Sequence, residues 1–497
     1  MPHIKFEWNP PKFTILGIEF TKDLKNITEI NIENKFAEMQ REINNWSKRD
    51  LTPFGKVTVI KTLIISKIVH ILLSLPSPNK NTFKKINKML YEFLWDGKPD
   101  KIKRNIGKQK LENGGIAMID IELFDKSLKI TWIRRLLIGS SKWKTLAKVM
   151  FPDIENIQNF GNNFILNLSK QIENPFWENV MSYLYEFYNK VAITSSEELQ
   201  ATSFLYNEKF KIGGSVISNN ILKSNNIFFV NQLMERGKCL NHAEFTLKYN
   251  IQIDFLTYHA ITRTIGKYIE QNILKTTAVK INNQPPIDII LRCKKGTSSI
   301  YKTLLDNNFE IKGRDKWFNL IGLENAEWLN SFIFLKRTTN DTKLRWLQFR
   351  IIHHTLTTNR SVSKFKVNQS HLCSFCGKHS ETIQHLFWTC DIVQKFWKEF
   401  CYLVNTRCKH SHNFNVNEKL ILFGKSELVC TDNVSDLIIL LAKLFIYRCK
   451  VQGKNLILRM FKQDIYNRYC IEKYLARNSP EFKTRWDPFL EIFRGLV

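Results

Sequence analysis

Glycine and proline are scarce, at 19 and 13 of 497 residues. That excludes a collagen-like or Pro/Gly-rich low-complexity chain. Hydrophobic residues at 43%, with aromatics at 12%, exclude a disordered one. No apolar run approaches the roughly 20 residues of a bilayer span. The most apolar stretch, Leu437 to Tyr447, is short and carries Lys443, so it reads as a buried helix and no membrane partner is expected. Residues 1–25 hold no signal-peptide-like run before charges interrupt it. Ten cysteines are too sparse for a secreted disulfide scaffold, which points to a reducing compartment: cytoplasm, nucleus or both. Acidic residues are few, 46 against 74 Lys and Arg, for a net charge of +28. Such an excess repels itself unless it meets a polyanion, so on charge nucleic acid ranks first as partner, ahead of a membrane surface.

The absences extend to catalysis. No G-x-x-x-x-G-K-[ST] loop and no Asp-Asp pair occur. Two-metal polymerases and nucleases need clustered carboxylates, and Asp96, Asp100 and Asp120 stand in separate segments. His353 and His354 are adjacent, so on a helix they point to different faces and cannot act as an HExxH pair. No nucleophile and base fall at a usable spacing.

Length suggests about three folded units. Phe13 to Phe20 reads as a β-strand with Gly17 in it. Ile32, Phe36, Met39, Ile43 and Trp46 share one face of a helix. Thr52-Pro53 reads as an N-cap followed by proline in the first turn. The helix it opens runs through Val57, Ile60, Ile64, Ile68 and Leu72 until Pro76 and Pro78 stop it. A third helix spans about Thr82 to Trp95, with Gly97 beyond its end. Asn113-Gly114-Gly115 forms a turn, and helix resumes near Leu123–Leu137. Residues 150–230 are Asn-rich, with a boundary expected near Asn156–Asn163, and Pro285-Pro286 is a break. Asp341 reads as the N-cap of a helix over 341–358, with Leu344, Leu347, Ile351 and Thr355 inward, and helical patterns return at 415–475.

The sharpest signal is Cys373-x2-Cys376-x8-His385-x4-Cys390. Two thiolates two residues apart bind one ion from a tight knuckle, and a His and Cys five apart at a helix end complete a tetrahedron. The mixed ligand set favours zinc over iron, and four closed donors make the zinc structural, not hydrolytic. His371 and His379 lie close by and are expected to stay out of the site. The second signal is the run 98–110, six basic residues and one acidic, which reads as a basic loop. Lys101, Lys103, Arg104, Lys108 and Lys110 are the candidate contacts to phosphates, sequence-blind and salt-dependent. Aromatics beside charge (Trp132 with Arg134 and Arg135, Trp346 with Arg345 and Arg350, then Arg448 and Lys450) could stack on unpaired bases, although at helical spacing an aromatic is more often core.

Lys12-Phe13-Thr14-Ile15-Leu16-Gly17-Ile18 resembles the F-x-Y-L-G-I strand that closes the palm of non-LTR (LINE-type) retrotransposon reverse transcriptases, with Ile15 in place of the aromatic. Trp46, Leu51, Gly55-Lys56-Val57, Ile60-Lys61-Thr62-Leu63-Ile64, Phe93-Leu94-Trp95 and Gly114-Gly115-Ile116-Ala117-Met118-Ile119-Asp120 resemble that family's thumb. Lys343-Leu344-Arg345-Trp346-Leu347-Gln348-Phe349-Arg350 and Glu381-Thr382-Ile383-Gln384-His385-Leu386-Phe387, with Trp397, resemble its zinc-binding domain. The resemblance implies a mainly α, multi-domain chain. Its expected parts are a remnant of the last palm strand (1–22), a helical thumb bundle (23–150), a connecting region (151–335), a zinc-binding module with a Cys-Cys-His-Cys set (336–412) and a helical tail (413–497). It also implies fingers, an Asp-Asp palm and an endonuclease upstream of Met1, so no catalytic residue is assigned here. The parent would perform target-primed reverse transcription. This chain is expected to bind template RNA, RNA–DNA hybrid or target DNA without synthesising DNA on its own, and to join a ribonucleoprotein with the element's RNA. Two alternatives stand beside it: a zinc-dependent protein-interaction module, and a polymerase subunit completed in trans.

Overall fold

A computed structural model describes residues 10–22, 24–138, 142–191, 193, 196–235, 238–273, 286–291, 297–306, 310–366, 369–407, 414–424, 433–476, 482–483 and 486–493. The described residues are mainly helical, and their strands form three two-stranded antiparallel sheets. None of their helices is long and apolar enough to cross a membrane. The chain divides into two compact units, each assembled from three stretches. One takes Met1–Asn44, Thr62–Leu90 and Asp120–Asp306; the other takes Asn45–Lys61, Tyr91–Ile119 and Asn307–Val497.

The first unit opens on a correction. The run expected as one strand is a hairpin, with Lys12–Ile15 paired to Ile18–Thr21. Leu16 and Gly17 both take positive φ, 49° and 80°, which is what a two-residue mirror-image turn demands. Phe13 and Phe20 face each other across it, rings 5.3 Å apart. Asn31, buried in the helix Ile27–Ser47, clasps Glu19 in both directions, accepting from its N at 2.7 Å and donating to its O at 2.8 Å. The helix opened by Thr52 and Pro53, whose opening turns belong to the second unit, is also not continuous. After Pro53–Val59 the backbone widens into a π turn at Ile60–Ile64, tightens at Ile65–Lys67 and resumes at Val69–Ser74. Val57, Ile60, Ile64, Ile68 and Leu72 are nonetheless all buried. The helices Lys80–Trp95 and Ile121–Leu137 form where expected.

Two apolar clusters stand out among the described residues of this unit. One joins Ile130, Trp132, Ile133 and Leu136 to Ile154, Ile157, Ile165, Trp177, Leu184, Ile300 and Leu304, so it runs without a gap through residues 150–165. The other is built by residues 160–265, around Phe204, Phe210, Phe245, Tyr258 and Ile261. Pro286 opens the helix Pro286–Leu291, while Pro285 lies outside the described residues. Lys129 is fully buried and satisfied by Asp125 Oδ1 at 2.9 Å and by the Leu72 carbonyl; burial lowers its pKa.

The second unit packs on the helix Thr342–Ile352. Asp341 caps it as expected, accepting from Lys343 and Leu344 N–H groups. Leu344, Leu347 and Ile351 point inward, but the helix stops at Ile352, because His354 turns left-handed at φ 56°. Trp317 Nε1 donates to the carbonyls of Ile351 and Ile352 at 3.1 Å, satisfying two of the buried carbonyls at the helix end. Gly115 belongs to a chain reversal so tight that a Cβ would sit 1.9 Å from the Gln109 carbonyl oxygen. The buried helix expected around Leu437–Tyr447 spans Asn433–Gln452, and Lys443 inside it donates to Gln348 Oε1 at 2.5 Å and Ile421 O at 2.7 Å.

His353 is core: its ring packs at a tilt against Phe349, centroids 4.2 Å apart, and it donates from Nε2 to Gly114 O at 2.7 Å. Burial lowers its pKa from 6.5 to about 4. Between those values the unfolded chain binds a proton that the folded chain does not, so stability falls as pH drops from 6.5 towards 4, by up to about 3 kcal/mol. Urea melts of the unaltered protein and of His353→Gln over that range test it. The substitution should flatten part of the slope; parallel curves would remove His353 from the acid response.

Candidate metal centre and nucleic-acid interface

Residues 371–381 fold back on themselves to present the first two thiols. Leu372 bridges Ser380, Cys373 N donates to His379 O at 2.8 Å, and Glu381 N donates to His371 O at 2.9 Å. Within the fold-back, Gly377 N donates to Cys373 O and Phe375 N donates to Cys373 Sγ at 3.4 Å, which curls Cys376 back towards Cys373. The other two donors come from one wide turn. His385–Thr389 is a π turn, and Cys390 at its end donates its N–H to His385 O at 3.1 Å. A five-residue hydrogen-bonded ring places positions i and i+5 side by side, which is why His385 and Cys390 meet. His385 Nδ1 lies 3.1 Å from Thr389 Oγ1, and this leaves Nε2 facing Cys376 Sγ at 3.4 Å.

The ligand atoms of Cys373, Cys376, His385 and Cys390 all lie within 4.8 Å of one another. Cys373 Sγ and Cys390 Sγ are 3.9 Å apart. A zinc tetrahedron with Zn–S of about 2.3 Å and Zn–N of about 2.0–2.1 Å has edges of about 3.8 Å and 3.5 Å, so the donor set fits zinc. Cys373, His385 and Cys390 are buried and Cys376 half-buried. The Cys373–Cys390 hydrogen bond pulls the Cys390 thiol down to about 7 and pushes Cys373 up, so the pair readily holds one thiolate. With four protein donors no position is left for water, and the zinc is structural. His371 and His379 are exposed and outside the set, as expected, although the His379 ring lies 5.5 Å from that of His385.

Glu381 supports the site, a role not assigned from the sequence. It is fully buried. Its Oε1 accepts from Asn359 N at 2.8 Å, and its Oε2 accepts from Ser374 N and Oγ at 2.9 Å each. Lys450 reaches it from the helix Asn433–Gln452, Nζ to Oε1 3.1 Å. The only trace in the sequence is that Glu381 opens the E-T-x-x-H-L-F block; nothing marks Lys450. Trp397 Nε1 donates to Phe387 O at 2.9 Å, tying the helix Asp391–Arg407 to the π turn.

The basic run departs from its expected form. It is not a free loop: Ile102 and Ile106 are buried, one helical turn apart, and Arg104–Gly107 is helical. A four-residue apolar spacing inside so short a charged segment is too little for a periodicity to register. Lys101, Lys103, Arg104 and Lys110 are exposed and Lys108 half-buried. They are not equivalent. Arg104 pairs with Asp100 at 2.8 Å and lies over the Tyr91 ring, and Lys101 lies 5.6 Å from the Trp346 centroid. Trp132 and Trp346 are buried core rings, not stacking platforms. Arg134 and Arg345 donate to backbone carbonyls, of Leu291 and Thr339 respectively.

Residues 311–397 match the family described as zinc-binding in reverse transcriptase, and the match takes in all four donors. The chain is also similar to the Transposon TX1 uncharacterized 149 kDa protein of Xenopus laevis, 22% identical over 529 aligned residues. That alignment covers 90% of this chain but 38% of the relative, so the chain spans little more than a third of the relative's length. The fold-back and the π turn give the geometry of a zinc site, and the family match places a zinc-binding domain of the reverse-transcriptase type at residues 311–397, in a chain similar over most of its length to a transposon protein.

Proposed function

We propose that this chain grips nucleic acid for a retrotransposon reverse transcriptase without performing synthesis itself. Residues 23–150 act as a thumb on template–primer duplex, and the zinc module seats template RNA or target DNA. The observation that carries the reading is the zinc-fitting Cys3His centre in a chain of net charge +28. Zinc would be held by Cys373, Cys376, His385 and Cys390 and would supply folding energy, not chemistry. Lys103 and Lys110, exposed on a segment whose backbone is anchored by Ile102 and Ile106, make phosphate contacts. Lys101, Arg104 and Lys108 flank them. The sequence has no Asp-Asp pair to hold two metal ions.

Fluorescence anisotropy with RNA–DNA hybrid tests this. Affinity should fall steeply between about 50 and 200 mM salt. Lys103→Glu with Lys110→Glu should weaken binding to all sequences alike and reduce the salt slope by about 2, one per lysine lost. A flat salt response would sink the phosphate reading, and a sequence-selective loss would point to base readout. Primer extension by the purified chain should give no product; incorporation would overturn the claim that it does not synthesise.

A further inference from the structure

We propose that Lys101, Arg350 and the indole N–H of Trp95, ranged around the ring of Trp346, form a seat for one phosphate group of a nucleic-acid backbone. The inference rests on the nucleic-acid reading above and adds a specific site to it. Lys101 Nζ and the Arg350 guanidinium carbon lie 5.6 and 5.7 Å from the Trp346 centroid, and the Trp95 ring lies 6.1 Å from it. All belong to the second unit.

Two observations point to a missing anionic acceptor. First, Arg350 Nε and Trp95 Nε1 are buried and have no hydrogen-bond partner. Trp95 is 3% exposed, so water does not reach it freely. Buried donors are nearly always satisfied, and two orphans beside one ring mark a place where something else accepts. Second, the charge there is of one sign. Arg350 and Lys98 both repel Lys101 and, after burial, are the main causes of its lowered pKa. The nearby acid, Asp96, is taken up by Lys56, and Glu381 is taken up by Lys450. Among the described residues neither Lys101 nor Arg350 forms an ion pair.

The donors also suit a phosphate better than a carboxylate. A guanidinium with Nε–H free presents a fork to two oxygens, a lysine adds a point charge, and an indole N–H can take a third oxygen. Tyr447 holds the other side of Arg350, its ring 5.4 Å from the guanidinium, so the fork is pre-oriented. A phosphodiester within a polyanion supplies this geometry while its neighbours engage the exposed lysines of the basic segment.

The test compares the zinc-loaded full chain with Lys101→Gln, Arg350→Gln, Arg350→Lys and the double Lys101→Gln/Arg350→Gln variant, by anisotropy on single-stranded RNA across a salt series. Each glutamine variant should lose about three- to tenfold in affinity and lower the salt slope by about 1. Arg350→Lys should keep the slope, since the charge remains. Because both cations face one phosphate, the double variant should lose clearly less than the product of the single losses. Additive losses, or single variants that bind like the unaltered chain, would overturn the seat. In that case the Lys103→Glu/Lys110→Glu variant decides the wider reading: its weakened binding would leave that reading standing. Should Arg350→Gln fail to fold, Lys101→Gln, at an exposed position, carries the decision alone.

Discussion

Cys376→Ser is expected to empty the metal centre and unravel the segment around it. Three donors remain, but one vertex of the tetrahedron is lost, and Cys376 is the sulfur that meets His385 Nε2 at 3.4 Å. Structural zinc in small domains supplies apparent binding energies of about 10–16 kcal/mol. Apart from the Glu381 network, the fold-back that carries Cys373 and Cys376 is held mainly by short backbone contacts, a one-residue bridge and a few turns. Metal analysis should find one zinc per chain in the unaltered protein and none in the variant. Limited proteolysis should then cut within 365–397, while the cores centred on Trp132, Trp177 and Phe245 stay protected. Full zinc content in the variant would remove Cys376 from the site.

Glu381→Ala should be the most damaging change that touches no ligand atom. It strands the N–H groups of Asn359 and Ser374 and the Ser374 hydroxyl. It also leaves Lys450, 8% exposed, without its carboxylate, with the Thr357 carbonyl at 3.2 Å as a neutral partner. Removing one partner of a buried ion pair costs about 3–5 kcal/mol. Because Ser374 sits between the two knuckle cysteines, the loss should carry into the metal: supporting hydrogen bonds of this kind are typically worth 10–100-fold in affinity. Competition against a chromophoric chelator reads that directly. A variant that melts and competes like the unaltered protein would show that Glu381 is replaceable. Lys450→Met is the informative companion, since it leaves the three hydrogen bonds to Glu381 in place.

Local patterns were legible where one element answers to one rule. Thr52 and Asp341 cap their helices because a short polar side chain before an apolar run satisfies free N–H groups. The series Phe83, Ile86, Leu90 and Phe93 is buried as its spacing requires. The spacing of Cys373, Cys376, His385 and Cys390 was readable because coordination constrains residues that lie near in sequence. The hairpin at Leu16-Gly17 was not, because Leu-Gly lacks the usual Asn-Gly signal and the positive φ of Leu16 is imposed by the pairing of its flanks. The broken helix after Val59 was hidden as well, since the apolar spacing survives the change of pitch.

By itself, then, the sequence determined the helical class, the excess of positive charge and the identity of the four zinc donors, all of which depend on composition or on neighbours within a few turns. Only the tertiary structure decided that Glu381 meets Lys450, that Ile102 and Ile106 anchor a run of cations, and that Trp95, Lys101 and Arg350 converge on Trp346. Glu381 and Lys450, like Lys101 and Trp346, lie tens to hundreds of residues apart, and what brings them together is the burial of apolar surface, which no local spacing records.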